Sequence, residues 1–129
     1  MTRKTIDVQY PVLDHTESVA NIGLTVTRVE ATEGITIKNA FGSTHNALFI
    51  HINNYGASTG LLTVKAGDAY PNSMLGDIVI EIPRGYSAIA VKDVSRFAKS
   101  DDSLDLDFND DFMGHIYAVG NWTGVSGRF

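Results

Sequence analysis

Short runs of alternating apolar and polar residues recur along the chain. In ALFIHIN, Leu48, Ile50 and Ile52 fall on one side and Phe49 and His51 on the other. In LLTVKAG, Leu62, Val64 and Ala66 oppose Thr63 and Lys65; in DIVIEIP, Ile78, Ile80 and Ile82 oppose Val79 and Glu81. GLTVTRVEA, GITIKNA, SAIAVKD and GHIYAVGN repeat the pattern with the β-branched and aromatic residues that strands favour. Turn-forming stretches, NNYGASTG, KAGDAYPNSMLGD and IPRGYS, lie between them. The spacing predicts about eight to ten short strands. The fold class is therefore all-β: an antiparallel β-sandwich or jelly-roll-like fold, or a β-barrel, in a single domain. HTESVANI offers at most one helical turn, and the lack of βαβ units argues against a nucleotide-binding α/β fold.

The first residues break the pattern. Arg3 and Lys4 precede VQYPV, where Pro11 cannot donate to a sheet ladder. This predicts an extended N-terminal arm over residues 1–14 and a β domain over 15–129. Arg3, Lys4, Ile6, Val8 and Tyr10 are then interface candidates, able to dock on an acidic surface or to add as a strand.

Composition narrows the function. The chain has 129 residues, enough for one domain with a core. Its formal net charge of −5 argues against a phosphate-neutralising nucleic-acid binder and against a binder of anionic membranes. There is no cysteine, which removes disulfides, thiol catalysis and thiolate zinc sites. No run approaches the length of a membrane span. MTRKTIDVQYPVLD holds no apolar stretch suited to a secretion signal, so the expectation is a protein made in the cytoplasm.

No phosphate loop or nucleophile elbow is present. His15, His45, His51 and His115 are scattered, with no spacing that would bring two imidazoles to one metal. The expectation is a non-enzyme without cofactor or resident metal. Tyr55, Tyr70, Tyr86 and Trp122 lie in or beside turns, where rings can stack on sugars or pack at interfaces.

The stretch SDDSLDLDFNDDF places six aspartates between Asp101 and Asp111. As an EF-hand loop from Asp105 it matches at Asp105, Asp107 and Asn109. It then fails, with Asp110 at the glycine position and Ile116 at that of the bidentate glutamate. As a strand it fits throughout: Leu104, Leu106 and Phe108 on one face, Ser103, Asp105, Asp107 and Asn109 on the other. The aspartates then form a solvated face or one that wants a basic partner. Asp107, Asp110 and Asp111 remain as a minor candidate cation site.

Residues 46–120 resemble small all-β proteins encoded among the head genes of tailed bacteriophages. The resemblance runs through Lys65, Ala66, Gly67 and Pro71, then Gly76 and Asp77, and a strand closing on Pro83 and Gly85. It continues through Ser95, Arg96 and Phe97, and through SLDLDF, residues 103–108, to the final G-x-I-Y-A. The chain departs from its relatives at SDDS, where they often carry glycine. The resemblance implies a capsid decoration (cement) protein with the major capsid protein as partner. It also implies a homo-oligomer, a trimer foremost, whose N-terminal arm grips the capsid surface of the virion. The alternatives are another virion component (tail, head–tail adaptor or head-fibre base) and a carbohydrate- or cell-surface-binding β module.

Overall fold

The computed structural model describes residues 3–9, 24–29, 34–41, 45–92 and 94–122. Nine strands appear there: β1 (Arg3–Gln9), β2 (Thr27–Val29), β3 (Gly34–Lys38), β4 (His45–Asn54), β5 (Gly60–Val64), β6 (Ile78–Ile82), β7 (Gly85–Val91), β8 (Leu104–Phe108) and β9 (Gly114–Trp122). A short 3-10 turn covers Asn72–Leu75, and a single helical turn, α1, covers Val94–Phe97. The strands form one nearly closed, barrel-like sheet in the order β6-β5-β8-β3-β1-β9-β4-β7, with β2 also paired to β9. The helical turn expected at HTESVANI lies outside the described residues.

The alternation in the sequence becomes the inside and outside of this barrel. Leu48, Ile50 and Ile52 of β4 are buried, and so are Leu104, Leu106 and Phe108 of β8. Register aligns them: Ile50 sits opposite Ala118 of β9 and Ile89 of β7, and Ile35 of β3 opposite Leu106. Leu62 of β5 lies between Phe108 and Ile80. Each of these large aliphatic side chains contributes about 1.5–3 kcal/mol by leaving water.

The sheet is mixed rather than antiparallel. β1 runs parallel to both of its neighbours, pairing with β3 through Arg3–Asp7 and with β9 through Val8 and Gln9. Alternation reports which face a residue takes and carries no information on strand direction. The expected N-terminal arm is thereby corrected over its described part. Arg3–Gln9 is an interior strand with partners on both sides, and Ile6 belongs to the core.

β6 and β7 are the two ends of the sheet, and an apolar seam opens between them. The seam is tied at its base. Asn54, buried at the end of β4, donates from Nδ2 to the carbonyls of Ser58 (3.1 Å) and Ile82 (3.0 Å) and accepts from the Gly56 N–H (3.0 Å). Arg84 Nε donates to the Gly56 carbonyl at 2.9 Å. Further up, Phe97 of α1 reaches a cleft of about 240 Å³ that is also lined by Val64, Ile78, Ile80, Ile89 and Val91.

Because, among the described residues, β1 carries the strand pairing that joins the β6-β5-β8-β3 half of the sheet to the β9-β4-β7 half, a chain lacking residues 1–9 is expected to lose its cooperative thermal transition and its near-ultraviolet circular dichroism. A truncated chain that melts like the whole protein would show β1 to be dispensable.

Candidate functional site

Asp105 and Asp107 of the acidic stretch lie on the outer face of β8, and these two charges are matched from within the chain. Arg3 Nη2 contacts Asp107 Oδ1 at 2.5 Å, while Arg3 Nη1 donates to the Leu106 carbonyl at 3.2 Å. Lys65 Nζ stands 3.9 Å from the other Asp107 oxygen. Asp105 accepts from Lys99 Nζ (3.2 Å) and from the Thr36 hydroxyl (2.7 Å). Arg3 reaches β8 across β3 because residue 34 is glycine. A Cβ there would lie 2.4 Å from Arg3 Nη1 and 2.9 Å from Asp107 Oδ1.

The expectation of a wet or docking aspartate face is therefore corrected. Asp105 and Asp107 are half-buried and paired within the fold, since strand order sets β1 and β5 on either side of the β3–β8 pair. The candidate cation site loses Asp107 for the same reason. Asp110 and Asp111 are exposed, and Asp111 accepts a hydrogen bond from the Asn109 amide. Among the described residues no group of three or more His, Asp or Glu side chains is placed to hold a metal. At SDDS, Asp102 takes φ 64°, the left-handed conformation that a glycine would supply, and its carboxylate accepts from the Phe41 N–H at 3.3 Å.

The interface candidates separate. Arg3 is engaged as above, Lys4 Nζ donates to the Arg28 carbonyl at 3.0 Å, Ile6 is core and Val8 packs against it. Tyr10 lies outside the described residues. None of the four described residues is a free gripping side chain, because all belong to β1.

The apolar surface lies elsewhere. Tyr70, Met74 and Leu75 in the β5–β6 loop are 80%, 72% and 65% exposed, and Ile78 and Val79 continue the exposure along the edge strand β6. The loop is clamped at its base. Asp77 accepts from the Ala66 N–H at 2.7 Å and pairs with Lys65 Nζ at 3.0 Å. Arg96 donates from Nε to the Gly76 carbonyl (3.0 Å) and from Nη2 to the Leu75 carbonyl (3.3 Å), and its guanidinium lies 5.0 Å from the centre of the Phe97 ring. Gly67 packs so closely on α1 that a Cβ would fall 2.0 Å from the Ala98 carbonyl oxygen. Lys65, Ala66, Gly67, Gly76, Asp77, Arg96 and Phe97, scattered in sequence, thus make one structural knot beneath three exposed apolar side chains.

A second feature lies on the outer wall of β4, β7 and β9. The His51 and Tyr117 rings stack at 4.8 Å and 6°, and Tyr55 and His115 meet at 5.1 Å and 50°. Sequence spacing separates the two histidines by 64 positions; register brings them to adjacent rows, Asn53 opposite His115 and His51 opposite Tyr117. Of the turn aromatics, Tyr55, Tyr70 and Tyr86 are exposed, and the side chain of Trp122 is outside the described part.

No family model, curated protein or solved structure matches the chain. The fold and the two surface features therefore stand on their own geometry.

The clamp has a pH signature. The Ala66 N–H foremost, then Lys65, hold the Asp77 carboxyl below its usual 3.8, and the Asp77 hydrogen bond foremost raises Lys65 above 10.5. A lowered carboxyl stabilises the fold above about pH 4, and that contribution is lost as pH falls through the folded value. Asp77→Asn should lower Tm at neutral pH and converge with the parent protein in strong acid, as measured by thermal melts across pH. Gly34→Ala should cost about 1–2 kcal/mol by displacing the Arg3 guanidinium. The cost should shrink when Arg3 is already Met, and urea unfolding of the four proteins checks this.

Proposed function

We propose that the chain is a structural virion protein that binds the outer surface of a tailed-phage capsid as a homotrimer and stabilises it. The observation that carries the reading is the clamped apolar loop and edge: Tyr70, Met74 and Leu75 over the knot, with Ile78 and Val79 beside them. Aromatic residues and Met are enriched at protein interfaces. A contact surface held in place before binding loses little entropy on docking. The end strand β6 adds unpaired backbone groups to which another chain can pair. The resemblance of residues 46–120 to phage head-gene products supplies the virion context, and the residues that carry it include Lys65, Gly67, Asp77, Arg96 and Phe97 of the knot.

The grip is assigned to this edge in place of the N-terminal arm, because Arg3–Gln9 is committed to the sheet. Many such contacts over a shell act together, so a modest affinity at each suffices. The major capsid protein is the partner, with no enzymatic step required.

Purified protein mixed with undecorated expanded capsids of its own phage should add density on the shell. Leu75→Asp should abolish that binding with Tm within a few degrees of the parent, since Leu75 is exposed. Failure of the parent protein to bind any maturation state of the shell would overturn the proposal. Density at the tail or head–tail junction of intact particles would move the protein to another virion position.

A further inference from the structure

A cleft of about 340 Å³ crosses the outer wall from β7 over β4 to β9, and Val26 forms its far lip. Its side chains come from aligned rows. Tyr86, Asn53 and His115 form one row, and Ala88, His51 and Tyr117 the next. Four positions across a sheet at a strand spacing of about 4.8 Å make a trough about 14 Å long. The volume lies at the lower end of small-molecule sites, which combine apolar and aromatic walls with a few polar groups.

We infer that this trough is a binding site for a neutral oligosaccharide. Three observations converge on that ligand class. First, none of the lining residues is Asp, Glu, Lys or Arg, so no carboxylate, ammonium or guanidinium there selects a charged ligand. Second, the polar groups suit vicinal hydroxyls. The Asn53 amide carries both donors and an acceptor, and a neutral imidazole carries one of each. Among the described residues the side chains of Asn53, His51 and His115 make no hydrogen bond, the two imidazoles making ring contacts only, which leaves these polar groups for a ligand. Third, ring faces are at hand for the C–H face of a pyranose. Tyr86 is 88% exposed at one end, and the His51–Tyr117 stack stands at the other. The stack and the Tyr55–His115 contact hold three of the four rings half-buried, so the wall is formed before a ligand arrives.

The cleft shares no residue with the loop and edge around Tyr70, Leu75 and Val79, so the two proposals stand or fall separately. The whole protein should be titrated with maltotriose, cellotriose and N-acetylated chitotriose, all neutral, to about 10 mM, past the millimolar affinities of shallow sites. The ring signals of His51 and His115 should be followed by NMR. At least one trisaccharide is expected to shift both rings saturably. Tyr86→Ala and Asn53→Ala should each weaken binding about tenfold, the equivalent of about 1.4 kcal/mol, with unchanged melting curves. Histidine rings that no trisaccharide shifts, or binding that Tyr86→Ala and Asn53→Ala leave intact, would overturn the inference. So would a cleft that becomes protected only against a protein partner.

Discussion

β1 spends its first five residues on β3 and its last two on β9, changing partners between Asp7 and Val8. The rest of the barrel depends on that change. The β6-β5-β8-β3 half and the β9-β4-β7 half meet through backbone hydrogen bonds at this strand, while their other ends, β6 and β7, stay apart. Non-local parallel pairing of this kind carries a large loop-closure cost before any contact rewards it. The reward is a core shared by both halves, with Ile6 among its buried members.

The same strand governs the electrostatics of β8. Alternate aspartates on one strand repel when unmatched. Here Arg3 crosses the gap left by Gly34 to reach Asp107, and Lys65 and Lys99 arrive from β5 and α1's outgoing loop. Partly exposed pairs of this sort contribute modestly one by one. Their larger effect is to favour one register, since a slip of β3 by one residue would set Ile35 in place of Gly34 and block the path of Arg3.

With Asp105 and Asp107 paired internally, the two surfaces proposed for partners are built from apolar or neutral side chains. The β5–β6 loop shows why exposure alone is a weak guide. Tyr70, Met74 and Leu75 project from a loop pinned by Asp77 and Arg96, so their exposure belongs to a fixed shape. The trough beside Tyr86 differs in chemistry, with imidazole and phenol rings and the Asn53 amide set among its aliphatic members. The two surfaces sit on different strands, so each can be occupied without displacing the other.

The sequence by itself determined the class of fold and the faces of most strands. Leu104, Leu106 and Phe108 were readable as core because period-two alternation is local and needs no partner. The failed calcium loop was readable for the same reason, from Asp110 and Ile116 alone. The role of β1 was not, because RKTIDVQ alternates equally well as a free arm or an interior strand. Pairing with β3 and β9, 25 and more residues away, is a property of the whole chain. The partners of the aspartates, the knot under Leu75 and the meeting of His51 with Tyr117 were hidden likewise. Each joins residues on strands, loops or the helical turn that are distant in sequence, and their meeting is set by register and by the packed core, which only the tertiary structure assembles.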